Sequence, residues 1–135
     1  ETELLPGALL RNESLHFVCK QVTLEYTQAN SFLTQSLPSD FSMHVPVAHG
    51  EGNYFANDNI LKELEDDGRI IFRYAKGQNP NGSIQNIAGI TNKAGNVVGM
   101  MPHPENATQP HQGNQSAKPF FEAIFNALHT YKAAA

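Results

Sequence analysis

The segment Met100-Met101-Pro102-His103-Pro104-Glu105 restricts the fold more than any other stretch of this sequence, because two prolines stand two residues apart. Proline fixes its own φ and disfavours helical backbone in the residue before it, so Met101 and His103 are predicted to be extended. Side chains alternate along extended backbone, which would put His103 and Glu105 on the same side. A carboxylate beside an imidazole can orient it as a base, so the pair is a candidate for two members of a nucleophilic triad.

Bulk properties narrow the class of protein. The 135 residues are enough for one domain, and a net charge of -4 with a pI near 5.8 argues against nucleic-acid binding. No apolar run approaches the length of a membrane span. The single cysteine, Cys19, cannot form an internal disulfide, which is typical of a reducing compartment and predicts a cytoplasmic protein.

Hydrophobic periodicity predicts five strands and two helices. The predicted strands are 16–26, 43–47 (with Pro46 at its end or on a sheet edge), 69–74, 84–91 and 96–101, and the last two form a hairpin. The first helix runs from a cap at Asn57 or Asp58 through Asp66. The second begins near Ser116, with an apolar stripe predicted to be core: Phe120, Phe121, Ile124, Phe125, Leu128 and Tyr131. Residues 1–10 are predicted to be the end of a helix followed by a turn, and 133–135 a frayed end.

Other chemically capable residues are less specific. Cys19 lies in the middle of an alternating strand without flanking glycines, so it is predicted to be a buried packing residue. His49, His103, Glu105 and His111 could together bind a metal ion, but nothing in their spacing brings them together, and no metal site is predicted. In His49-Gly50-Glu51-Gly52 the glycines would let backbone approach a ligand; the alternative is a flexible surface loop.

Several motifs together identify a family. These are Leu4-Leu5-Pro6-Gly7-Ala8-Leu9, Pro46-Val47-Ala48-His49-Gly50-Glu51-Gly52-Asn53, Asn79-Pro80-Asn81-Gly82-Ser83 followed by Ile87-Ala88-Gly89-Ile90, and Gly99-Met100-Met101-Pro102-His103-Pro104-Glu105. In this order they closely resemble the class I glutamine amidotransferases, and within these the glutaminase components of phosphoribosylformylglycinamidine synthases. The resemblance covers almost the whole chain.

The resemblance implies roles for particular residues. His103 would be the triad base and Glu105 its orienting acid, while His49, Gly50 and Glu51 would line the glutamine pocket. Asn106 stands where the family usually has arginine. The implied fold class is α/β: residues 1–135 would be the C-terminal part of a three-layer, flavodoxin-like domain. Its N-terminal half, with the nucleophilic cysteine on a Gly-x-Cys-x-Gly turn, is absent from these residues.

The resemblance also implies an activity and partners. Glutamine would be hydrolysed to glutamate without a cofactor, and the ammonia passed to a synthetase subunit or domain that uses ATP and Mg. Without the nucleophile, this chain alone is predicted to be inactive. Two alternatives remain: a degenerate, non-catalytic domain that binds the synthetase or a ligand, and a metal-dependent hydrolase using His103 and Glu105. A half-sheet would expose an apolar edge, which predicts oligomerisation, a bound partner or poor solubility.

Overall fold

The computed structural model describes residues 4–133, and side chains up to residue 130. Within that range the chain forms seven strands and two α-helices: β1 (Ala8–Leu10), β2 (Val18–Tyr26), β3 (Ser42–His49), β4 (Asn53–Phe55), α1 (Asp58–Asp66), β5 (Ile70–Tyr74), β6 (Ile87–Thr91), β7 (Val98–Met100) and α2 (Lys118–Ala133). Short 3-10 helices lie at Ile84–Asn86, Pro104–Ala107 and Pro110–Gln112. None of these helices is long and apolar enough to cross a membrane.

Five strands form one antiparallel sheet in the order β3-β2-β5-β6-β7. They correspond to the five strands predicted from the local sequence pattern, so the α/β prediction with five strands and two helices is confirmed. The separate ribbon of β1 and β4 was not predicted. Residues 8–10 are a strand where the end of a helix and a turn were expected, and residues 1–3 and 134–135 lie outside the described range.

Strand β3 lies at one end of the sheet, and its outer edge holds the chain segments that carry the candidate site. Pro46 is tolerated there, as predicted, because an edge strand does not need its missing N–H. The N–H of His103 donates to the Pro46 carbonyl at 2.9 Å. The N–H of His44 donates to Ser116 Oγ at 2.8 Å, just before α2 begins. The Pro-His-Pro-Glu segment and the start of α2 therefore cover this edge.

Two apolar clusters hold the elements together. The larger one joins the sheet to α2, where the rings of Phe72 and Phe120 meet edge to face with centroids 5.4 Å apart. The smaller joins Leu61 and Leu64 of α1 to β5 and β6. Helix α1 begins as predicted, with Asn57 Oδ1 accepting from the N–H of Ile60 at 3.0 Å.

Two local predictions were wrong. The α2 stripe is only partly core, because Phe125 is 64% and Leu128 44% exposed. The extended path predicted through Glu105 is replaced by the 3-10 helix at Pro104–Ala107. Proline suits the first position of a helical turn, whose N–H would be unpaired in any case, so Pro104 starts this turn.

Candidate functional site

His103 and Glu105 form a hydrogen-bonded pair beside the edge of β3. His103 Nδ1 lies 2.8 Å from Glu105 Oε1, and both side chains are part-exposed. An imidazole held in this way keeps its proton on Nδ1 and leaves Nε2 free to accept one. The predicted proximity is thus present, although the 3-10 turn brings the two groups together rather than the alternation of a strand.

The backbone after Glu105 is fixed by Gln112, which sequence reasoning missed. Gln112 Nε2 donates to the Glu105 carbonyl at 3.0 Å, and its Oε1 accepts from the N–H groups of Thr108 and Gln109 at 2.9 and 2.8 Å. Asn106, in the position where an arginine was expected, places Nδ2 3.5 Å from Glu105 Oε1. The Glu105 carboxylate therefore lies on a turn whose backbone is held by hydrogen bonds from Gln112.

The second part of the candidate site runs from His49, the last residue of β3, to Gly52, and we term it the ligand loop after the role that the sequence analysis predicts for it. His49 is 6% exposed, whereas Gly50 is half-buried and Glu51 exposed. The imidazole of His49 lies so close over Gly52 that a Cβ added there would meet its Cε1 at 2.2 Å. Only glycine fits at position 52 with the ring in this place.

Asn12 is the residue that holds this loop, and it is fully buried. Its Nδ2 donates to the carbonyls of His16 and His49 at 2.9 and 2.8 Å. Its Oδ1 accepts from the N–H of Gly52 at 3.0 Å and lies 3.2 Å from His49 Nδ1. The backbone N–H of Asn12 donates to the Gly50 carbonyl at 2.9 Å. Nothing in the sequence marked Asn12, because its partners in the ligand loop lie 37 to 40 positions further along the chain.

Burial favours the neutral form of the His49 imidazole. Its pKa lies below the usual value of 6.5, mainly because burial disfavours the charged ring, and the neighbouring His103 lowers it further. Among the described side chains, His49 Nε2 is the one buried polar atom without a hydrogen-bond partner. The first residue of the ligand loop therefore carries an imidazole nitrogen without a hydrogen-bond partner.

The Asn79-Pro80-Asn81-Gly82-Ser83 motif is hydrogen-bonded to the ligand loop and to β4. Ser83 Oγ donates to the Gly52 carbonyl at 3.2 Å and accepts from the N–H of Tyr54 at 3.0 Å. Asn81 is buried, and its Nδ2 donates to the hydroxyl oxygen of Tyr74 at 3.2 Å. Burial raises the pKa of Tyr74 to about 12, so this phenol stays protonated at neutral pH.

Cys19 is exposed, so the prediction that it is buried was wrong. It pairs with Ala48 in the register of β2 and β3, whereas His49 pairs with Val18. Because directly paired side chains share a face and neighbours along a strand alternate, Cys19 projects from the face opposite His49. No three His, Cys, Asp or Glu side chains within residues 4–130 come together as a metal ion would require.

An apolar cavity of about 520 Å³ borders the site. It lies between residues 5–9 and the strands β6 and β7, and Gly52 of the ligand loop and Met101 also line it. His103 and Glu105 are not part of its wall. The cavity runs along the end of the sheet at which β7 pairs only with β6 among the described strands.

Comparison with known proteins identifies the family. Residues 3–133 match the sequence profile of the CobB/CobQ-like glutamine amidotransferase domain. The chain belongs to this family of glutamine amidotransferases. It is 52% identical, over 122 residues, to the phosphoribosylformylglycinamidine synthase subunit PurQ of Mesorhizobium japonicum. It is 48% identical, over 128 residues, to the same subunit of a Nostoc species.

A solved structure is also similar to this amidotransferase chain. The fold matches a chain in the structure of PurLQS from Thermotoga maritima with a TM-score of 0.79 and 38% identity. That match covers 93% of this chain and 55% of the Thermotoga chain. The two PurQ relatives match over 90% and 95% of this chain and 55% and 57% of their own length. The chain thus spans little more than half the length of these relatives.

Proposed function

We propose that this chain forms part of the glutaminase of a phosphoribosylformylglycinamidine synthase, which hydrolyses glutamine and supplies ammonia for formylglycinamidine ribonucleotide formation in purine biosynthesis. The observation that carries the proposal is the 52% identity to a PurQ subunit across 90% of the chain. The hydrogen-bonded pair of His103 and Glu105 supports it, because glutamine hydrolysis by a thiol needs an oriented base.

In this proposal His103 is the base and Glu105 its orienting acid. The thiol of a cysteine outside these 135 residues gives its proton to His103 Nε2, and the resulting thiolate attacks the side-chain amide carbonyl of glutamine, so that a C–S bond replaces the C–N bond. His103 Nε2 gives a proton to the departing nitrogen, which leaves as ammonia. His103 then takes a proton from water, whose oxygen attacks the thioester; glutamate is released and the sulfur is set free. The ligand loop, with His49, Gly50 and Glu51, holds the glutamine.

The partner in this proposal is a synthetase that consumes the ammonia with ATP and Mg. The assembly named PurLQS supports this, since a relative with 38% identity is found in it. The glutaminase step itself uses no cofactor. Transfer within an assembly would keep ammonia from being protonated in bulk water.

The test is glutamate release from glutamine by the complete gene product that carries these residues. We expect turnover, and we expect His103→Ala or Glu105→Gln to reduce kcat by about 10²- to 10⁴-fold, as loss of a base or its orienting acid does. The 135-residue chain alone should release no glutamate above background. A complete product without any glycine-flanked cysteine, and without turnover, would instead favour the non-catalytic alternative.

A further inference from the structure

Asn12 makes a set of contacts that the proposed chemistry does not use. Its amide group is fully buried and has four polar neighbours, two of them carbonyl oxygens and two of them nitrogens of the ligand loop. The two carbonyls can only accept, so the nitrogen of the amide must face them and Oδ1 must face the loop. The orientation of the Asn12 amide is therefore fixed by its surroundings.

This orientation determines which nitrogen of His49 carries the proton. Oδ1 of Asn12 has no proton to give, so the hydrogen bond at 3.2 Å requires a proton on His49 Nδ1. A neutral imidazole has one N–H, and burial favours the neutral form of His49. Nε2 then carries no proton, and its lone pair can accept a hydrogen bond. It is the buried side-chain atom without a partner among the described residues.

An unpaired buried acceptor destabilises a fold, and a donor from outside the described residues would restore the hydrogen bond that His49 Nε2 lacks. We propose that Asn12 is a positioning residue: it holds Gly50 and Gly52 in place and fixes His49 as the Nδ1-protonated tautomer, so that Nε2 accepts a hydrogen bond from an N–H group of a bound amide or amine. This inference rests on the proposed function for the identity of the ligand, but not for the state of His49.

The first test is the ring-nitrogen NMR spectrum of His49 in the 135-residue chain, together with amide exchange at Gly52. In the wild type we expect a single tautomer with the proton on Nδ1 and a protected Gly52 N–H. Asn12→Ala should give a mixture of tautomers and raise the exchange rate at Gly52 about tenfold, as expected for the loss of one or two hydrogen bonds. Asn12→Asp keeps the acceptor but adds a buried charge, so His49 should become doubly protonated.

A matched control is Asn92→Ala in the turn between β6 and β7. Asn92 Oδ1 also accepts from two backbone N–H groups, those of Asn96 and Val97, at 3.0 and 3.1 Å. Its removal should leave the His49 tautomer and the Gly52 exchange rate unchanged. A single Nδ1-protonated tautomer that persists in folded Asn12→Ala would overturn the proposal, as would a wild-type proton on Nε2.

The second test uses the complete gene product. Asn12→Ala should raise KM for glutamine at least about fivefold, in the range expected for one lost hydrogen bond, while synthesis driven by added ammonia stays unchanged. An unchanged KM alongside an altered tautomer would refute the ligand contact. A product that does not hydrolyse glutamine at all would refute the proposed function. The NMR test would still show whether Asn12 sets the His49 tautomer.

Discussion

The backbone N–H of His103 donates to the carbonyl of Pro46 at 2.9 Å. Pro46 has no N–H, so this carbonyl is the only backbone hydrogen-bonding group that the residue offers to the open edge of β3. The position of the candidate base is thus set by an edge strand far away in sequence. Ser116 makes a second attachment to the same edge, through the N–H of His44.

The second attachment can be removed by mutation. Ser116→Ala leaves the N–H of His44 without its acceptor and should lower the free energy of unfolding by about 1 kcal/mol. Urea denaturation of the 135-residue chain measures this. Ser14→Ala removes an exposed hydroxyl that accepts from the N–H of His16 at 3.3 Å, and should change stability by less than about 0.5 kcal/mol. Equal effects of the two variants would argue against a special role for the edge contact.

Gly52 and Gly50 provide a pair of variants within one loop. In Gly52→Ala the new methyl would meet the His49 ring at 2.2 Å, so the ring must move, which should destabilise the fold by about 1–3 kcal/mol. At Gly50 the nearest atom is Phe17 Cδ2 at 4.0 Å, and Gly50→Ala should be nearly neutral. Thermal unfolding of both variants tests the packing of His49. The idea fails if Gly52→Ala is as stable as Gly50→Ala.

Tyr74→Phe should leave the buried Nδ2 of Asn81 without an acceptor. The loss of this 3.2 Å hydrogen bond is expected to destabilise the fold by about 1–3 kcal/mol, the desolvation penalty of an unpaired buried donor. Denaturant titration measures the effect. Tyr26→Phe is the control, because the Tyr26 hydroxyl is only part-buried and donates to the Thr34 carbonyl at 3.2 Å, so its removal should have a smaller effect.

The lowered pKa of His49 predicts acid sensitivity. In the unfolded chain this histidine titrates near 6.5, and in the folded state its pKa is lower. Between the two values the unfolded state binds a proton that the folded state does not, so stability is complete above about pH 6.5 and is lost as the pH falls. Unfolding free energies from pH 7.5 to 5 should show this decline.

The variant His49→Gln should flatten that profile, because the group that takes up the proton on unfolding is gone. His129→Gln is the control, since His129 is exposed on α2. A wild-type profile that stays level from pH 7.5 to 5 would contradict the buried, neutral state assigned to His49.

The open edge of β7 and the adjoining apolar cavity predict self-association of the 135-residue chain. Sedimentation velocity should show larger species as the concentration rises. Met100→Lys places a charge on this edge and should shift the chain toward monomer, because charged side chains block pairing between edges. Gln35→Lys adds the same charge at an exposed position away from this edge and should not shift the chain toward monomer. A wild-type chain that stays monomeric at high concentration and unfolds in one transition would refute this prediction.

Features encoded locally were predictable from the sequence. Strand β2 follows from period-two alternation, the other sheet strands from short apolar runs between turn residues, and the start of α1 from the side chain of Asn57. The proximity of His103 and Glu105 followed from two-residue spacing, although the 3-10 turn at Pro104 produces it by a different backbone path. Such features depend on a few neighbouring residues, which the sequence displays directly.

Features that depend on distant partners were not predictable. A helical stripe marks the apolar side chains of α2 but not which of them meet the sheet, so the exposure of Phe125 and Leu128 was missed. The strand pattern around Cys19 did not reveal which face is covered. Asn12 and Gln112 are polar residues in polar segments, and their importance arises only when folding brings the ligand loop and the Glu105 carbonyl to them.

The attachment of His103 to Pro46 also affects the order of events during synthesis. A ribosome that adds 5–20 residues per second needs roughly 3–11 s to make the roughly 57 residues between the two positions. For that time the nascent chain carries β3 without the segments that later cover its outer edge. This edge has no lysine to block pairing and is partly apolar, so it could pair with a neighbouring nascent chain. Because Pro46 cannot donate a hydrogen bond, such pairing stays incomplete. The edge is covered once His103 has been synthesised and its N–H bonds the Pro46 carbonyl.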